Sequence, residues 1–263
     1  MSTITIDERS ALVLIDLQEG ILALPTLLSS DHIKNRARLL AAAFRASALP
    51  VVRVKVAFSA DGGDLPPGRS LIPGPRSAPS GAYSEFPEDF PPQPGDIIIV
   101  KRHWGAFTGT ELDLQLRRRG VTQIVLAGIS TSMGVESTAR SAWESSYNLI
   151  FAEDAITDVD AASHRHTFTK IFPHLGEIST TEQIIDALKG RSAQPGSAGP
   201  PGARFRRIHP AGAQDHSATH GARPCTRSVR RTGARSGGPP PGVPHARLRG
   251  RGVIADAVAM DAG

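Results

Sequence analysis

Residues 128–140 read GISTSMGVESTAR, and the five residues before them, Gln123 to Ala127, read QIVLA. A short, continuous apolar run of this kind is the pattern of a parallel strand buried on both faces. It breaks at a turn of small residues, after which Val135, Thr138, Ala139 and Ala142 recur at helical spacing. A strand, a tight turn and a helix in that order make half of a βαβ unit. The backbone amides at such a helix start favour negative charge in the turn. Gly134 stands at the centre of this stretch.

Working outward, five further runs have strand character: Ala11 to Asp16, Val51 to Ala57, Asp96 to Lys101, Asn148 to Ala152 and a weaker Glu177 to Thr180. Helical patterns over about 31–47, 110–119, 133–146, 160–172 and 181–189 alternate with them. That alternation predicts an α/β fold, a doubly wound three-layer sandwich around a parallel sheet. Ser30 and Thr110 are expected to cap the first two helices, and Thr180 with Gln183 forms a capping-box pattern before the last. The interval Ser59 to Gly95 is rich in Pro, Gly and Ser and is long for a connection. Loops of that length serve as lids, binding loops or oligomer contacts.

Charge divides the chain. Residues 191–263 hold 12 Arg, no Lys and 3 Asp, net +9, whereas residues 1–190 carry 18 Lys plus Arg against 22 Asp plus Glu, net −4. The basic pI of 9.9 therefore belongs to the tail. With 9 Pro and 12 Gly among its 73 residues and no sustained periodicity, the tail is expected to be a disordered extension of a domain covering 1–190. Two readings of it stand: a basic tether for nucleic acid or acidic membrane, and a non-functional extension of the kind a GC-rich gene yields when read past a frame change. The second is preferred on composition. The mildly acidic body gives no reason to expect nucleic acid as its partner. Cys225, the single cysteine, also lies in the tail, so the body has neither disulfide nor thiol nucleophile. The N-terminus lacks a basic leader and no apolar run approaches the ~18 residues of a membrane span. A soluble, cytoplasmic protein with no membrane partner is expected.

Ligands of open α/β sheets bind outside the carboxyl ends of the strands. Three features fall there: Asp16 at the end of ALVLID, Lys101 at the end of DIIIVK, and the turn around Gly134. Each alone is weak evidence, because a carboxylate or a lysine at a strand end is more often a surface or capping group. Together they make an acid/base pair beside an anion-binding turn. A lysine lowers a neighbouring carboxylate's pKa and burial raises it, so Asp16 is poised either to donate a proton or to activate water.

With these residues in view, ALVLIDLQ, KRHWGAFTGTELDLQLRRRGV and LAGISTSMGVESTARSAWESSYNLIFAEDAITD resemble the isochorismatase-like hydrolase superfamily over roughly residues 8–189. The resemblance implies a six-stranded parallel sheet of order 3-2-1-4-5-6 and assembly into dimers or larger homo-oligomers. It implies that Asp16 is the catalytic aspartate and Lys101 the catalytic lysine. It places a non-proline cis peptide at Ile129-Ser130, and oxyanion-stabilising amides at Ser130 and Gly134. Gly134 itself falls where the amidase branch carries its cysteine nucleophile. Without a thiol there, covalent amidase chemistry is not expected. The isochorismatase branch also has glycine here, and its aspartate is thought to protonate a vinyl ether so that water can add. Ser130 stands where known isochorismatases place an aromatic residue, which removes a contact to that substrate. The expectation is a cofactor-independent hydrolase of a small molecule; the alternative is an oligomeric binding module that has lost its nucleophile.

Gln18, Trp104 and Phe107 are candidate substrate contacts, with structural roles for each as the competing reading. His164 and His166 are two residues apart and diverge on a helix, and VKVAFSADGG replaces the metal motif that nicotinamidases carry after the second strand. No metal is expected. Arg117, Arg118 and Arg119 complement the end of a helix dipole.

Overall fold

The computed structural model describes residues 4–66, 69, 71–72 and 77–192, with the side chains of the last two residues left out. The expectation of a disordered tail over 191–263 thus lies, apart from the last helical turn, outside the described residues. Six strands form one parallel sheet: β1 (Ser10–Ile15), β2 (Val51–Val56), β3 (Ile97–Lys101), β4 (Gln123–Ile129), β5 (Asn148–Thr157) and β6 (Glu177–Ser179). Their order is β3-β2-β1-β4-β5-β6, as expected, with the switch in direction between β1 and β4.

The helices are α1 (Glu19–Leu22), α2 (Ser30–Ala46), α3 (Leu112–Arg118), α4 (Glu136–Glu144), α5 (Ala161–His166), α6 (Phe172–Leu175) and α7 (Thr181–Ser192). One face of the sheet buries Leu12, Leu14, Val125 and Ala127 against Ile33, Leu40 and Phe44 of α2 and Ile184 and Leu188 of α7. The other buries Val13, Ile15, Val54 and Leu126 against Leu112 and Leu116 of α3, Ala139 and Ala142 of α4, and Phe172. Coverage on both faces is why every residue of β1 and β4 is buried and why neither strand alternates in hydropathy.

Several boundaries differ from the sequence expectation. The cap of α2 is Ser29, whose hydroxyl accepts from His32 N, and not Ser30. Glu111 flanks α3, although Thr110 Oγ1 does accept from Leu112 N. The capping box at α7 forms as read: Thr180 N donates to Gln183 Oε1 and Gln183 N to Thr180 Oγ1. β5 continues five residues past Ala152 after an irregularity in its pairing with β4. Polar Glu153 and Asp154 hide that continuation in the sequence; Asp154 turns outward to accept from Thr181 N and Oγ1 and to pair with Arg36. The helix read over 160–172 is interrupted by a wide π turn at Thr167–Ile171, immediately before Pro173 near the start of α6. Proline has no N–H to continue the ladder. Among the described residues no helix is long and apolar enough to cross a membrane.

Candidate active site

The site is assembled by strand ends. Asp16 follows β1 with φ 52°, so the chain leaves the strand at once, and Asp16 N donates to Val54 O of β2. Lys101 ends β3, two strands away. Its Nζ reaches across to Asp16 Oδ2 at 2.7 Å and donates also to the carbonyl of Trp104 at 2.6 Å. Both side chains are enclosed, with Asp16 5% and Lys101 2% exposed. Asp16 Oδ1 is buried without a hydrogen-bond partner. Burial pushes the Asp16 carboxyl up to about 6, outweighing the opposing pull of Lys101. An open cavity of about 550 Å³ lies elsewhere, at the amino ends of β4 and β5 between Gln123, Trp143, Asn148 and Gly176.

Across the switch point, β4 ends at Ile129, and the Ile129-Ser130 peptide is cis. The chain then makes a π turn over Thr131–Val135, in which Val135 N donates to Ser130 O, before α4 begins. Gly128 has φ +127° and its backbone packs directly on Ile15; a Cβ there would lie 2.1 Å from Ile15 O. This close approach brings the turn against the Asp16 strand. A Cβ built on Gly134 would meet Asp16 Oδ2 at 3.3 Å and Ile15 Cγ2 at 3.0 Å. Asp16, Lys101 and Gly134 are therefore brought together. Thr138 fixes α4 beneath the turn, its hydroxyl donating to Gly134 O and accepting from Ala106 N.

The candidate substrate contacts fare differently. The amide of Gln18 is occupied structurally: Nε2 donates to Val56 O and Tyr83 O, and Oε1 accepts from Val56 N. It thereby fastens the late part of the long loop, with Glu19 N donating to Glu85 O and the Tyr83 ring lying on Gly20. Phe107 packs against the core beside Tyr147, ring centroids 6.0 Å apart. Trp104 is 64% exposed, while its carbonyl holds Lys101. His164 Nδ1 lies 2.7 Å from Thr131 Oγ1. Among the described residues no group of three or more His, Cys, Asp or Glu side chains is placed to hold a metal ion.

Asp158 is not singled out by sequence pattern. It follows β5 directly, so the strand-end rule that singled out Asp16 would have found it had β5 been read to its true length. Its Oδ2 accepts from Ser132 N and Oγ, and its Oδ1 from Val159 N and Asp160 N.

Comparison with known proteins shows the family and the fold of the chain. The family model described as the isochorismatase domain matches residues 10–183. The isochorismatase family protein YecD of Escherichia coli O157:H7 is 46% identical over 184 residues, 69% of this chain and 97% of YecD. YwoC of Bacillus subtilis strain 168, of the same family, is 42% identical over 197 residues, covering 72% of this chain and all of YwoC. Among solved structures, an isochorismatase family protein from Burkholderia thailandensis superposes with a TM-score of 0.70 at 41% identity, covering 72% of this chain and 100% of that one.

Proposed function

The chain belongs to the isochorismatase family of hydrolases, and from that premise we propose that it hydrolyses a small molecule without a covalent enzyme intermediate, Asp16 acting as general acid and base. One observation carries this reading: a Cβ on Gly134 would lie 3.3 Å from Asp16 Oδ2. The position from which a thiol would attack thus faces the carboxylate, and glycine supplies no nucleophilic atom. The chemistry falls to Asp16 and a water molecule.

A vinyl ether suits such a site. Protonated Asp16 delivers its proton to the β-carbon of the double bond, leaving an oxocarbenium ion. The carboxylate so formed is held by Lys101 Nζ and takes a proton from water as the water oxygen bonds to the cationic carbon. The resulting hemiketal breaks its C–O bond to give a carbonyl compound and an alcohol. One water is consumed and Asp16 regains its proton. The amides of Ser130 and Gly134 orient the leaving oxygen and stabilise the negative charge that develops on it as the hemiketal C–O bond breaks. The route needs no cofactor.

Placement of the Asp16 pKa at about 6 gives the acid a supply of protonated form near neutrality. The working form is the protonated one, so kcat/KM is expected to be high below about pH 6 and to fall as pH rises through it. An amide route with Asp16 as base would show the opposite limb. The test is a panel of enol ethers and amides offered to the full chain and to Asp16→Asn. Loss of about 100-fold or more is expected for the variant. An Asp16→Asn protein of normal activity overturns the assignment, and binding without turnover across the panel replaces the enzyme with a binding module.

A further inference from the structure

The turn that faces Asp16 is a wide π turn that includes Gly134, a residue with no side chain to anchor. Within it Met133 N and Val135 N donate to Ser130 O, and Thr138 of α4 holds Gly134 O. Further bonds reach it from the end of β5 and the helix after it. Asp158, 1% exposed, takes both the amide and the hydroxyl of Ser132, at 2.7 and 2.8 Å, on one carboxylate oxygen. Next to it, Thr131, which is fully buried, is paired through its hydroxyl with His164 Nδ1. One residue past the turn, Glu136 accepts from the buried Thr167 hydroxyl.

Asp158 also reaches the other side of the site. Its carbonyl accepts from Leu27 N and the neighbouring Thr157 hydroxyl from Leu28 N, which ties down the segment between α1 and α2. That segment follows Asp16 and Gln18 in the chain. A single strand end therefore ties the turn to the segment between α1 and α2. Bonds from N–H and O–H donors to an ionised carboxylate are about twice as strong as neutral ones, and in a site closed to water they fix geometry to a fraction of an ångström.

We infer that Asp158, acting through Ser132, and His164, acting through Thr131, are positioning residues for this hydrolase: they hold the Ser130 to Gly134 backbone in the orientation that presents its amides to a substrate beside Asp16. The inference rests on the function proposed above for the turn, but its first test needs no substrate. Hydrogen exchange is measured on the full chain for wild type, Asp158→Asn, Ser132→Ala and Thr131→Val. Thr131→Val is nearly isosteric and removes only the hydroxyl that meets His164. Amides of Ser132 to Val135 are expected to exchange at least about tenfold faster in Asp158→Asn and Thr131→Val, and less so in Ser132→Ala, which keeps the backbone bond, while amides of β1 and β4 stay as protected as in wild type. If Asp158→Asn does not fold, the other two variants carry the measurement. Unchanged exchange in the turn overturns the inference.

The second readout separates positioning from a merely structural staple. On any substrate that Asp16→Asn cannot process, Asp158→Asn and Thr131→Val are expected to lower kcat about tenfold with KM within threefold of wild type, and Thr131→Ser to restore it. A loosened turn with wild-type kcat overturns the positioning role. If no compound in the panel is turned over, the proposed function fails, and the exchange data still decide whether Asp158 and His164 hold the turn.

Discussion

At the scale of single residues, the proposed chemistry rests on two opposing effects acting on Asp16. Enclosure raises its pKa to about 6, and Lys101, 2.7 Å away, lowers it, with burial the larger. Removing the lysine charge leaves burial unopposed. Lys101→Met is accordingly expected to move the descending limb of the pH–rate profile upward from about pH 6, and to lower the maximal rate, because the carboxylate formed after proton transfer loses its partner. A pH–rate profile of the variant that kept its limb in place would show that Lys101 does not govern the acid. Both residues were legible as charged groups closing apolar strands. Asp158 was not, because Glu153 and Asp154 interrupt the hydropathy of β5 before it ends. Nor could spacing show that Gln18 would give its whole amide to Val56 and Tyr83, since those partners are 38 and 65 residues away.

At the scale of elements, the contact between β1 and β4 is the tightest constraint near the site. Gly128 has φ +127°, and any Cβ there would overlap Ile15 backbone atoms, which no rotamer can relieve. Gly128→Ala is expected to cost more than about 3 kcal/mol, read as a fall in the denaturation midpoint or as loss of folded protein. By contrast Ser29→Ala removes one cap bond from α2, to His32 N, and should cost about 1 kcal/mol by thermal or urea unfolding, with turnover unaffected. The sequence marked these elements well where periodicity ran unbroken, as in α2 and β4. It misplaced boundaries where the backbone departs from regular geometry: the π turn at Thr167–Ile171 lies inside the helix expected over 160–172, and the π turn at Thr131–Val135 spans the junction between the expected turn and the helix expected from 133.

At the scale of the whole molecule, the charge division predicts a separable body. The family match ends at residue 183, and 69–72% of this chain spans 97–100% of YecD and YwoC. A chain ended after Ser192 is expected to melt cooperatively, to keep the full chain's turnover, and to change from a basic to an acidic protein, since residues 1–190 carry net −4. Ion-exchange behaviour and a melting curve check this; loss of turnover on truncation would assign the basic segment a part in function. Legible in the sequence alone are the α/β class, the charge division between residues 1–190 and 191–263, two charged groups at strand ends, Asp16 and Lys101, and the lack of any thiol in residues 1–190. These are local properties: hydropathy period, strand-end chemistry and residue identity within a few positions. Tertiary structure alone encloses Asp16 and pushes its carboxyl up to about 6, sets Gly134 beside that carboxyl, and brings Asp158 to the turn between them. Each of those depends on which distant strands become neighbours, and burial, electrostatic pull and hydrogen-bond partnership exist only after the sheet has brought them together.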